Sequence, residues 1–193
     1  YSQFASGAAV VASSAQATTA DDYLAQVEAL DGKKGSEQDV IRLVNLILAT
    51  QQNAEAYSYR ARDKYLMGDK QGAITDYNQA IAINPQYATA YNNRGNVKRQ
   101  IGDTQGAIAD YSQAIAINPQ YTKAYYNRGN AKSYLGDKQG AIADYDQAIA
   151  NNPRLELAYY NRGVAKSDLG DKQGAIADYT QLLAINPQDA EAY

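Results

Sequence analysis

Pro85, Pro119, Pro153 and Pro187 are the only prolines in this chain of 193 residues, and each lies 34 residues from the next. Around them the sequence nearly copies itself. Gly102-Asp-Thr-Gln-Gly-Ala-Ile-Ala-Asp-Tyr111 returns with one change at 136–145 and again at 170–179. A fixed period of this length restricts the fold to a stack of near-identical supersecondary units, none of which can bury its apolar face alone. Such stacks present a surface and seldom do chemistry.

Composition narrows the function further. The chain has no Cys and no His, which removes thiolate nucleophiles, Ser/His catalysis and both thiolate and imidazole metal sites. Lys, Asp, Glu and Tyr alone remain for proton transfer, so the chain is expected to be no enzyme and to need no cofactor. A formal charge of −3 and a pI near 5.0 argue against a nucleic-acid partner. No run of 18 apolar residues offers a transmembrane span. Residues 1–19 form an uncharged, low-complexity segment in which Ala15-Gln-Ala17 has the form of a signal-peptidase site. It reads as a signal remnant, as an Ala/Ser/Thr linker, or as a segment ordered along a partner. Export to periplasm or lumen and retention in the cytoplasm are both compatible with it.

Within residues 88–121 two helices are predicted, about Ala90–Ile101 and about Gln105–Ile117. Gly102 suits a helix C-terminus and Asp103 the N-cap of the next helix. Ala107, Ile108, Tyr111, Ala114 and Ile115 recur at three- and four-residue intervals, as one buried helical face requires. Asn118-Pro119 ends the pattern. Small residues at Gly95, Ala107 and Ala114 let the two helices approach, with Tyr91 and Tyr111 filling the gaps. Gly136-Asp-Lys-Gln-Gly140 has a passing likeness to a phosphate loop but lacks its Gly-Lys-Ser/Thr ending, and reads as an interhelix turn.

Tyr91, Gly95, Ala107, Tyr111 and Pro119 occupy the places of the signature aromatic, Gly, Ala, aromatic and Pro of the tetratricopeptide repeat (TPR), which the unit resembles. Residues 54–87, 122–155 and 156–189 repeat the assignment, giving four repeats. The resemblance implies an all-α fold, a TPR α-solenoid forming a right-handed superhelix of antiparallel helix pairs. Residues 20–53 read as a degenerate N-terminal unit, with Ser36 as the capping serine of an amphipathic helix. Residues 190–193 read as the start of a further, truncated repeat. Leu182-Leu183 replaces Ala-Ile in the last unit, so an uncovered apolar face is expected at that end.

Two positions depart from the family pattern throughout. Arg60, Arg94, Arg128 and Arg162 replace its Leu, and Lys64, Lys98, Lys132 and Lys166 replace its following Tyr. Ala61 also replaces Gly in the first repeat. Each second helix carries a matching acid (Asp76, Asp110, Asp144, Asp178), which predicts Arg–Asp pairing between neighbouring helices, bidentate where geometry permits. A basic patch for anions is the alternative.

In the family the first helices line a concave, peptide-binding groove. Carried over, that geometry predicts an asparagine ladder of Asn93, Asn127 and Asn161, flanked by Asn96 and Asn130, able to pair with a peptide backbone. Bridging to adjacent helices is the alternative. Tyr126, Tyr134 and Tyr160 would form an aromatic wall, with Tyr59 and Tyr65 at the N-terminal end, and Arg62 and Lys123 would be the groove cations. The carboxylate clamp of chaperone-binding TPRs is incomplete, since Asn92, Leu157 and Asn161 stand where three of its cations belong. The chain therefore reads as a non-enzymatic scaffold, adaptor or assembly factor that binds protein or peptide. The alternatives are a structural subunit of a larger photosynthetic or envelope complex, docking through its convex face or C-terminal end, and a regulatory fragment of a larger enzyme.

Overall fold

The structure is a computed structural model that describes residues 19–187. Among them ten helices follow one another without a strand: α1 (Ala20–Leu30), α2 (Glu37–Leu48), α3 (Ala54–Leu66), α4 (Lys70–Ile83), α5 (Ala88–Gln100), α6 (Thr104–Ile117), α7 (Thr122–Tyr134), α8 (Lys138–Asn151), α9 (Glu156–Asp168) and α10 (Lys172–Ile185). From α3 onward each period of the sequence holds one helix of 13 residues and one of 14.

The repeated turn chemistry fixes these boundaries. Gly102 takes φ +90, a conformation that favours glycine. Its N–H donates to the Arg99 carbonyl at 3.1 Å, and the Asp103 N–H donates to Lys98 at 2.9 Å. This double bond pattern is the Schellman ending of a helix. The Asp103 carboxylate then accepts from the Gly106 N–H at 2.9 Å and starts α6. In the equivalent turn Asp137 takes the Gly140 N–H, an amide that a phosphate would need. At the far end Asn118 is extended before its proline, and its side chain accepts from the Gln120 N–H.

Each helix packs on the next, and the first helices of successive repeats (α3, α5, α7, α9) also touch one another. The second helices make no comparable contact, so the first helices form the inner layer and the second the outer. Close approach within a pair depends on Gly95. A Cβ there would meet the Tyr111 ring at 2.7 Å. With that space open, Tyr111 is fully buried beside Ala107 and Ala114.

The ends differ from the middle. Val27, Val40, Leu43, Val44 and Ile47 close the N-terminal side over Ala56 with larger side chains than the Ala-rich interior uses. Ser36 does not cap α2 as expected. Its hydroxyl donates to the Leu30 and Lys33 carbonyls, because the preceding loop doubles back far enough to offer them. Thr19 instead forms a capping box with Asp22 at the start of α1. On the C-terminal side Ile176 is 64% exposed and Leu183 45%, since no further helix covers α10 among the described residues. The readings made for residues 1–18 and 190–193 lie outside the described residues. Among the described residues no helix is long and apolar enough to cross a membrane.

Candidate functional site

A repeated ionic cross-link holds each repeat. The Arg94 guanidinium donates two bonds to the Asp110 carboxylate, at 2.9 and 2.7 Å, and a third to the Asn78 carbonyl of the preceding repeat. Lys98 approaches the same carboxylate at 3.0 Å, so one acid neutralises both cations that share a face of α5. The Tyr91 ring lies under the guanidinium, 5.4 Å from its centre. Arg60–Asp76, Arg128–Asp144 and Arg162–Asp178 repeat the arrangement, each with its lysine. The expected pairing is present, bidentate in all four repeats. Sequence reading missed the third bond, to Asn45, Asn78, Ser112 or Asp146. Its signal was a hydrogen-bonding residue directly after Tyr77, Tyr111 and Tyr145.

On the inner helices the asparagines bond between successive repeats in separate groups. Asn127 donates to the Asn92 carbonyl at 3.1 Å, and Asn161 donates to both the Tyr126 hydroxyl and the Asn130 carbonyl at 3.0 Å. The Tyr111 and Tyr145 hydroxyls donate to Asn96 and Asn130, each at 2.7 Å. Burial raises the pKa of both phenols, which keeps them protonated as donors. Asn93 accepts from the Asn92 amide. An amide carries two N–H donors and a carbonyl with two lone pairs, so Asn161, which gives both donors to the stack, keeps its carbonyl, and Asn130, which accepts twice, keeps its N–H donors for a ligand. Asn130, Ser133, Tyr145, Asn161 and Val164 line a cleft of about 160 Å³.

The aromatic positions divide. Tyr126 is half-buried, tilted against Tyr145 with ring centres 6.1 Å apart, and Tyr160 stands in the same relation to Tyr179. Tyr160 is nevertheless 50% exposed and Tyr134 80% exposed. Tyr65 packs against the core of the first repeat. Lys123 is exposed near the start of α7. Arg62 is engaged within the chain. It pairs with Asp31 and lies over the Tyr59 ring at 5.5 Å. Its guanidinium also stands 3.6 Å from the Asp63 carboxylate.

An all-helical stack with a repeated ionic cross-link and a polar inner strip is a repeat scaffold. Family models of the TPR repeat match residues 61–102 and 95–136, and models of the tetratricopeptide repeat match 122–155 and 156–189. The chain belongs to the tetratricopeptide repeat family, whose stacks are protein-interaction modules. A crystal structure of MamA is 26% identical, with a TM-score of 0.76 over 82% of this chain and 93% of its own. MamA from Desulfovibrio magneticus RS-1, from residue 41 to its end, is 19% identical with a TM-score of 0.77, over 88% of this chain and 97% of its own. YrrB, described as a TPR protein with an unusual peptide-binding site, is 16% identical with a TM-score of 0.72, over 89% and 88%. The last two likenesses establish fold alone. No curated protein matches the sequence.

Proposed function

We propose that this protein is a non-enzymatic scaffold that holds an extended partner segment along the inner strip of α7 and α9. The observation that carries the reading is the coincidence, on two adjacent inner helices, of exposed Tyr134, Leu157 and Tyr160 with the Asn130–Asn161 cleft. Exposed aromatic and aliphatic side chains supply contact area, while the neighbouring amides pair with a peptide backbone. Asn93 and Asn96 extend the strip towards the N-terminal end. Arg62 contributes less charge than a free cation would, being neutralised by Asp31, so Lys123 is the main groove cation. An overall negative charge and the missing His and Cys support a protein or peptide ligand over nucleic acid or catalysis.

Selection of a phage-displayed peptide library on the full chain tests this. Selected peptides should lose binding to the Tyr134→Ala/Tyr160→Ala variant, with its thermal unfolding measured alongside to control for the lost Tyr160–Tyr179 contact. Unchanged binding would count against the groove. Docking through the C-terminal end is a second reading, favoured by exposed Ile176 and Leu183 on α10. Peptides lost on Ile176→Asp but retained by the tyrosine variant would favour it.

A further inference from the structure

Asp63 occupies a position where the later repeats carry Val97, Ala131 and Ala165, all buried and apolar. It is buried as well, at 2% exposed, and its Oδ2 has no hydrogen-bond partner among the described residues. A buried, unpaired carboxylate oxygen is costly, so its presence at a core position calls for a function. Asp63 also helps line a cavity of about 230 Å³ between α3 and the α1–α2 connection. That connection spans residues 31–36, whereas the later repeats join their helices through three residues, as at 101–103. Two glycines with positive φ, Gly32 and Gly35, shape the longer loop.

The charge of this cavity defines its ligand. Glu37 and Asp63 both line it. Arg62 pairs with Asp31 and also stands 3.6 Å from Asp63 Oδ1, so Oδ2 is the Asp63 oxygen left without a donor. Lys33 and Lys34, the other cations on the lining, are exposed. Buried Asp63 and half-buried Glu37 therefore supply carboxylate acceptors to the cavity wall, the unpartnered Asp63 Oδ2 among them. We propose that this cavity binds a primary ammonium group, that of a free small amine or of a lysine side chain, with Asp63 as its anchor. The ammonium supplies the donor that Asp63 Oδ2 lacks, and its alkyl stem lies against Leu66, which also lines the cavity. The site is separate from the strip on α7 and α9, and groove variants leave it intact.

Burial lifts the Asp63 carboxyl to about 6, opposed by Arg62 and reinforced by Glu37 and Asp31. Ammonium binding favours the ionised form, so affinity falls about tenfold per pH unit once the pH drops below that value. The test is an NMR titration of the full chain with n-butylammonium chloride, read at the Gly32, Gly35 and Asp63 amides. Saturable shifts are expected near neutral pH, weakened about tenfold or more in Asp63→Asn. Tetramethylammonium, which has no N–H, should cause none. Equal binding by Asp63→Asn, or an equal response to tetramethylammonium, would overturn the proposal. Should that variant fail to fold, the wild-type pH profile decides, and an affinity flat between about pH 7.5 and 5 overturns the site. A parallel titration with the acetylated, amidated tripeptide Gly-Lys-Gly assigns the source. Binding of both probes points to a lysine side chain, and binding of butylammonium alone points to a free amine.

Discussion

Residues 61–63 and 95–97 occupy the same turn of the first helix in successive repeats, yet they pack differently. In α5, Gly95 admits the Tyr111 ring, Asn96 accepts its hydroxyl and Val97 is buried against apolar neighbours. In α3, Ala61 keeps its methyl group and Arg62 offers no acceptor, so Tyr77 has no counterpart of the Tyr111–Asn96 bond within its own repeat and lies near Asn93 of the following one. Asp63 is left buried without a full set of partners. The ionic cross-link is nonetheless the same in both repeats, with Arg60 and Lys64 on Asp76 as Arg94 and Lys98 are on Asp110. The cross-link therefore specifies the stack, while the Gly–Asn–Tyr packing varies between repeats without breaking it.

The largest effect should come from the shared element. Asp144→Ala strands Arg128 and Lys132 beside a buried void and should cost about 3 kcal/mol or more in denaturant unfolding. Asp76→Ala should cost a similar amount if the cross-link is independent of local packing, whereas Arg128→Leu should cost less, because an apolar isostere tolerates the site. Next, Gly95→Ala forces a methyl into the Tyr111 ring and should cost about 1–3 kcal/mol. The reverse change, Ala61→Gly, should cost only about 1 kcal/mol, the helix-propensity difference.

Asp63→Val, which copies the second repeat into the first, should raise stability by about 1–2 kcal/mol at neutral pH. The sign follows from the raised pKa. Below the ordinary carboxyl range Asp63 is protonated whether folded or unfolded, and its charge costs nothing. The penalty grows as the pH rises towards about 6 and is complete above it. The gain from Asp63→Val should therefore shrink as the pH falls from 6 to about 4. A constant gain would mean that packing, and not charge, separates the two repeats. The smallest change is Asn127→Ala, which removes one bond between repeats and should cost about 1 kcal/mol in thermal unfolding.

The helix pairs were legible in the sequence because Gly102, Asp103 and Pro119 each act within a few residues of their own position. The Arg–Asp pairing was legible too, since both partners recur with the same period and carry opposite charge. The orientation of the asparagines was not. Asn127 bonds to a residue 35 positions earlier, and a column of amides does not reveal which neighbour each one meets. Asp63 was readable as the one acid in a column of Val and Ala, but its missing partner depends on the α1–α2 loop, whose path no local signal sets. Ser36 looked like an N-cap by type, yet the doubled-back loop gave its hydroxyl nearer carbonyls.

Groove binding is tested most directly by mapping amide shifts of the full chain with a library-selected peptide. Shifts centred on Tyr126, Asn130, Tyr134 and Asn161 of α7 and α9 are the predicted result. Shifts confined to the outer helices, or to Ile176 and Leu183 on α10, would contradict it.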